Sequence, residues 1–215
     1  MKKTEYDIVR ENPCSMQVRN GICYRLVSRE RYESSLERLP HEEFLDLIVL
    51  YQYVIPEESG EKKTILLNLE QLEALGIREE ELKQLAERNT PQNLPPRLCR
   101  MEQFLRRLGI MEAEESAGQP TGLYVYTAEG GLFGATCLLY EEALWSASRE
   151  LGGSFYILPS SIHELIFLPD GKETDAEQLA ALVREVNRTQ VAEEDRLSDH
   201  VYFYDAAVKR VKRIF

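Results

Sequence analysis

The chain has 215 residues and a net charge of −11, from 26 Lys and Arg against 37 Asp and Glu. A chain of this length buries roughly 70% of its unfolded surface, so neither a disulfide nor a metal is needed to hold it folded. Its acidity repels phosphate backbones at long range, so nucleic-acid binding is not expected without a local basic patch.

Hydrophobic residues make up 43% and charged residues 29%, a globular rather than a disordered composition. The four cysteines, Cys14, Cys23, Cys99 and Cys137, have neither CxxC nor zinc-site spacing. Cys99 and Cys137 lie among apolar residues and read as core fillers. No metal and no cofactor are expected. Met1-Lys2-Lys3 is followed by polar Thr4 to Asp7, not by the apolar run of a signal peptide. The longest apolar stretch, Leu45 to Ile55, is too short to span a bilayer and holds Asp46 and Gln52. The expectation is a cytoplasmic protein with reduced thiols that is not integral to a membrane.

The fold class expected is α+β, with antiparallel hairpins packed against helices. Asn20-Gly21 is a turn signal ahead of a strand at Ile22 to Val27. Arg29 to Leu39 reads as a short helix ended by Pro40. The β-branched and aromatic run Leu45 to Ile55 reads as a buried strand, and Glu57 to Glu61 as a polar turn. Thr64 to Leu69 would return as its partner, so a hairpin is predicted over 46–69. A short helix broken by Gly76 precedes a helix led by Glu79-Glu80-Glu81, where negative charge suits a helix N-terminus. That helix is predicted to stop near Asn89, ahead of Pro91. Leu98, Met101, Leu105 and Leu108 form one helical stripe over Arg97 to Leu108, stopped by Gly109.

Residues 111–122 are small, acidic or helix-breaking and read as a linker between an N-terminal lobe, 20–110, and a C-terminal lobe, 123–205. In the second lobe, Leu123 to Thr127 and Phe133 to Leu139 flank Glu129-Gly130-Gly131, which predicts a hairpin over 123–139. A helix over Glu141 to Leu151 is closed by Gly152-Gly153, and strands follow at Phe155 to Leu158 and Ile162 to Leu168. Thr174 to Glu177 reads as a capping box, and Leu179, Leu182, Val183 and Val186 as the buried stripe of its helix. Val201 to Tyr204 is the last strand expected. The order helix, strand, strand, helix occurs over Arg29 to Asn89 and again over Glu141 to Thr189, which suggests a duplication; chance recurrence is the alternative.

The densest polar constellation is Ser160-Ser161-Ile162-His163-Glu164. A serine activated by a histidine that a carboxylate orients is hydrolase chemistry. A strand would place Ser161 and His163 on one face. The Gly-x-Ser-x-Gly elbow is missing, however, and adjacent triad members are geometrically awkward. The structural alternative has Pro159-Ser160-Ser161 turning the chain, with the hydroxyls bonding backbone groups. His163-Glu164 opens like a zinc-protease helix, but Phe167 stands where the second histidine belongs. Gly171-Lys172-Glu173-Thr174 lacks the upstream glycine of a phosphate loop and reads as a turn. Asn89, Asn187 and Ser198-Asp199 read as fasteners of neighbouring loops or as turn residues. The tail, 206–215, carries Lys209, Arg210, Lys212 and Arg213. Val208, Val211 and Phe215 would share one face if it were helical, a form suited to an anionic membrane, an RNA or an acidic partner; the structural alternative is a solvated terminal strand or helix whose apolar residues dock on the body.

Three runs carry a family likeness: Phe155 to Glu164 with its LPSSIHE core, Val183 to Ala192, and Leu197 to Asp205. Together with Pro40-His41, Phe44 to Leu47 and Leu82 to Pro91, they make the chain resemble a domain-of-unknown-function family of anaerobic Gram-positive gut bacteria, over roughly residues 20 to 205. The stretch Phe133 to Leu168 more distantly resembles another uncharacterised Gram-positive family. Members of the first family carry a further N-terminal region, most of which this chain is expected to lack. The resemblance implies a fold and brings no catalytic residue.

The function read from the sequence is a non-enzymatic interaction or regulatory protein with a protein partner, its oligomeric state open. The alternative is a hydrolase or other small-molecule enzyme centred on Ser160, Ser161, His163 and Glu164.

Overall fold

A computed structural model describes residues 16–55, 63–110, 121–171 and 174–215. Cys14, the turn over Glu57 to Glu61, most of the 111–122 segment, and Lys172-Glu173 lie outside the described residues. The chain forms two compact units, Met1–Pro95 and Pro96–Phe215, and is α+β throughout, with antiparallel sheets.

In the first unit, α1 (Met16–Asn20) leads into β1 (Ile22–Ser28), which is followed by the single helical turn α2 (Arg29–Tyr32) and a 3-10 segment, Glu33–Arg38. The long strand β3 (Leu47–Ile55) is buried at every position. It shows no polar alternation because both of its faces are covered, and both of its edges are paired as well. One edge pairs with β1, from Ile22↔Tyr53 to Ser28↔Leu47. The other is shared by β2 (His41–Phe44) on its first half and β4 (Lys63–Leu66) on its second. The hairpin expected over 46–69 is therefore the β3–β4 pair. Leu45-Asp46 forms the β2–β3 turn instead of starting the strand, with Leu45 at φ 58 and 43% exposed.

Two helices follow: α3 (Leu69–Leu75), capped by Asn68 and stopped by Gly76 at φ 63, and α4 (Glu79–Asn93). Asn89 of α4 donates from Nδ2 to the carbonyls of Arg19 (2.7 Å) and Ile22 (3.0 Å). Thr90 Oγ1 accepts from the Tyr24 N–H at 3.0 Å, so α4 is stitched to β1. The helix runs through Pro91 to Asn93, past the expected stop at Asn89. Proline removes only the bond to the Glu87 carbonyl, and Glu87 is exposed, so water can replace it.

The second unit is a six-stranded antiparallel sheet in the order β10-β9-β7-β8-β6-β5. Its strands are β5 (Pro96–Arg100), β6 (Tyr124–Ala128), β7 (Phe155–Pro159), β8 (Glu164–Pro169), β9 (Tyr202–Asp205) and β10 (Arg210–Arg213). Its helices are α5 (Met101–Arg107), α6 (Glu141–Leu151) and α7 (Ala176–Gln190). A row of rings crosses one face, with centroids 4.7 Å apart for Tyr126–Phe167, 4.5 Å for Phe155–Phe167 and 5.0 Å for Phe155–Tyr204. On the other face Leu158 and Val201 pack with Ala180 and Val183 of α7, joined by Tyr156, Ile166, Leu179 and Ile214.

Four sequence expectations change in this unit. Residues 96–100 are a strand and only 101–107 a helix, because Pro96 to Arg100 pair with Ala128 to Tyr124 along β6. Leu108, assigned to the buried stripe, is 56% exposed. The hairpin over 123–139 does not form: β5 and β8 take both edges of β6, and Gly134–Leu139 coils into a 3-10 segment. The cap of α7 is Asp175 rather than Thr174, accepting from the N–H groups of Glu177 and Gln178. Leu182 is 52% exposed, and the buried positions of α7 are Ala180, Val183 and Asn187.

The tail takes the strand form of the two offered by its sequence. Arg210–Arg213 is β10, paired with β9. The helix-strand-strand-helix order holds for α6, β7, β8 and α7, whereas the earlier stretch inserts β2 and α3 into it.

Candidate functional site

The three runs that carried the family likeness meet in space at one end of the second unit. Residues Ser160 to His163 link β7 to β8 and lie beside the segment after α7. The Ile162 N–H donates to the Asp195 carbonyl at 2.8 Å, and Ser161 forms an isolated antiparallel bridge with Arg196. Asn187, near the end of α7, donates from Nδ2 to the Ser198 carbonyl (2.9 Å) and to Asp199 Oδ1 (2.8 Å). It fastens its neighbouring loop as Asn89 does in the first unit.

Ser161 is 5% exposed. Its Oγ accepts from the N–H groups of His163 (3.0 Å) and Glu164 (3.3 Å) and donates to Glu164 Oε1 at 2.9 Å. This is a serine turn closing on itself. The hydroxyl proton points to a carboxylate, not to His163. His163 Nδ1 accepts from the Phe133 N–H at 3.3 Å, which leaves the ring proton on Nε2, 3.5 Å from Asp195 Oδ1. Both ring nitrogens are thus engaged away from Ser161. The His163 ring stacks on Phe133 with centroids 5.9 Å apart, supporting a non-glycine residue at φ 52. The His163 carbonyl accepts from Thr127 Oγ1 at 2.8 Å. Of the four residues singled out, Ser161 and Glu164 are brought together, His163 turns towards Phe133 and Asp195, and Ser160 faces a groove.

The Ser-x-His pattern recurs at Ser198-Asp199-His200, and sequence reading passed over it. Ser198 Oγ again accepts from a histidine backbone N–H, here that of His200 at 3.0 Å. In this copy the side chains also meet, Ser198 Oγ lying 3.2 Å from His200 Nδ1. The identical spacing was the available signal.

Beside this junction is a small, open apolar groove of about 50 Å³. Leu158, Pro159 and Ile166 of the sheet form one wall, and Leu182, Val183 and Val186 of α7 the other. Ser160 and Asn187 complete the lining. Asn187 Oδ1 is buried without a hydrogen-bond partner. Among the described residues no three His, Cys, Asp or Glu side chains converge as metal ligands do, and no helix is long and apolar enough to cross a membrane. Among the described residues Cys99 and Cys137 are free thiols; burial pushes the Cys137 thiol up to about 12, so it is a core group and not a nucleophile near neutral pH.

The model of a family of unknown function, DUF5688, matches residues 2–206. No curated protein and no solved structure matches the chain.

Proposed function

The chain belongs to that family of unknown function, DUF5688, and on that premise we propose that it is a non-enzymatic interaction protein whose groove holds one aliphatic side chain of a partner protein. The observation that carries this reading is the groove itself. Its walls are aliphatic, and Leu182 stands half exposed at its rim. A small-molecule site would mix apolar walls with a few convergent polar groups. Here the neighbouring Ser161, His163 and the Asn187 amide nitrogen bond the protein's own chain, which leaves Asn187 Oδ1 as the one buried polar atom of the lining without a partner. In this reading Ser160, Ser161, His163 and Glu164 shape the β7–β8 link, and the two lobes fold as separate units. The free Cys99 and Cys137 thiols favour a cytoplasmic setting, and the charge of −11 disfavours nucleic acid as partner.

The test compares wild type with Leu182→Glu, a change at an exposed position that leaves the core intact. Both proteins are immobilised and exposed to lysate of the native host, and the retained proteins are quantified. A protein held by wild type and lost by the variant at unchanged melting temperature supports the reading. Identical retention overturns it.

A second reading, a serine hydrolase, is favoured by the Ser198–His200 contact. A fluorophosphonate probe that labels wild type but not Ser198→Ala, or not Ser161→Ala, would move it to first place.

A further inference from the structure

β10 is the terminal strand of the six-stranded sheet, bonded to β9 on one side, with its outer edge open among the described residues. Every second residue of such an edge presents its N–H and C=O outward. Four cations lie on or next to it. Lys209 sits over the Trp145 ring, 4.1 Å from its centroid. Lys212 pairs with Asp205 at 3.7 Å and lies 5.1 Å from the Phe203 centroid. The Arg210 and Arg213 guanidinium groups are exposed and make no ion pair or hydrogen bond among the described residues. A chain of net charge −11 therefore keeps two unneutralised guanidinium groups on a free strand edge.

Edge cations commonly serve to stop sheets joining edge to edge. When all of them share one sign, the exclusion becomes selective. A basic or neutral strand gains nothing there, while one with carboxylates at matching positions gains a cross-strand attraction at each. The strand form also bears on the partner's class. Register puts Arg210 beside Asp205 and Lys212 beside Phe203 on one face of the sheet, and Arg213 beside Tyr202 on the other. The cations are divided between two faces, unlike the single basic face with which an amphipathic helix lies on a lipid surface. RNA would meet the long-range repulsion of the acidic body.

We propose that β10 is a docking edge for an extended acidic segment of another protein, which adds as a seventh strand. The sheet is antiparallel throughout, so the segment would run antiparallel to β10. Opposite Arg213, Lys212, Val211 and Arg210 it then reads, in its own direction, acid, acid, apolar, acid. Backbone bonds supply the affinity and the carboxylates the choice of partner.

The probe is a fluorescein-labelled peptide, acetyl-Thr-Glu-Glu-Val-Glu-Thr-amide, read by anisotropy against the full chain at low salt. Saturable binding is expected, weakening more than tenfold in each of three cases. These are N-methylation of its outward-bonding amides, exchange of its three Glu for Lys, and the protein variant Arg210→Glu with Arg213→Glu. If that variant melts early, Arg210→Gln with Arg213→Gln is read instead, with a smaller loss expected. Raising the salt to 1 M should also weaken binding, because the pairs are exposed. Absence of saturable binding overturns the proposal, as does binding indifferent to N-methylation. Tighter binding of oligo-uridine RNA or of phosphatidylserine vesicles through the same arginines overturns it too.

Discussion

Gln52 occupies the middle of β3, paired to Cys23 on one side and Leu66 on the other, and is fully buried. Neither its amide nitrogen nor its amide oxygen has a hydrogen-bond partner. An unsatisfied buried group costs about 1–3 kcal/mol each, so the side chain carries roughly 2–6 kcal/mol of desolvation that nothing offsets. Methionine has nearly the same length and flexibility, and volume-conserving swaps in a core cost less than about 1.5 kcal/mol. Gln52→Met should therefore stabilise the first unit by about 2 kcal/mol, against a background in which most core changes destabilise. Urea unfolding at 25 °C, followed by far-UV circular dichroism, should show the transition of that unit moving to higher urea at constant slope. Gln52→Glu, which buries a charge in the same place, should move it the other way and further. If Gln52→Met lowers the midpoint by the equivalent of 1 kcal/mol or more, the amide is satisfied in solution by an ordered water, and the reasoning fails.

Gly134→Ala should be poorly tolerated. Its Cβ would stand 2.1 Å from the His163 carbonyl oxygen and 2.6 Å from the Ala128 nitrogen, both backbone atoms, so a loss of about 3 kcal/mol or more in the same assay is expected. Asn187→Ala removes two hydrogen bonds to the Ser198–Asp199 loop and should cost about 1–3 kcal/mol, with faster amide exchange at Ser198 and Asp199. Burial pushes the Glu42 carboxyl up, but bonds from Lys83 and Tyr51 outweigh it and hold the group below its ordinary value. Stability from this carboxylate is thus present above the ordinary range and lost as the pH falls through its lowered folded value. The stability gap between wild type and Glu42→Gln should accordingly be open at pH 6 and close towards pH 3.

Local chemistry decided much of this protein in one dimension. The β-branched and aromatic run from Leu47 to Ile55 has no other comfortable place than a buried strand, and it is one. Gly76 and Gly152 stop their helices at φ 63 and φ 86, a conformation that glycine adopts without penalty. Asn89 and Asn187 announced themselves as polar residues following apolar stripes, and both bond neighbouring loops.

Where two local readings were equally good, the sheet chose. Arg97 to Arg100 continue a helical stripe on paper, but β6 offers them a row of unpaired backbone groups, and satisfying those outweighs a weak preference. The same strand, once bonded on both edges, had nothing left for Phe133 to Leu139, which coiled instead. The tail became a strand because β9 had a free edge beside it.

At the candidate site the spacing Ser-x-His was visible twice, but not where the protons point. That depended on Phe133 and Asp195, 30 and 32 positions from His163, reaching its two ring nitrogens. The groove has the same origin: Leu158 and Val183 are distant in sequence, and only the packing of α7 on the sheet sets them across from one another. Backbone propensity acts between neighbours and can be read in order. Edge pairing, side-chain hydrogen bonds and cavities join residues the sequence keeps apart, and they exist only once the chain has closed on itself.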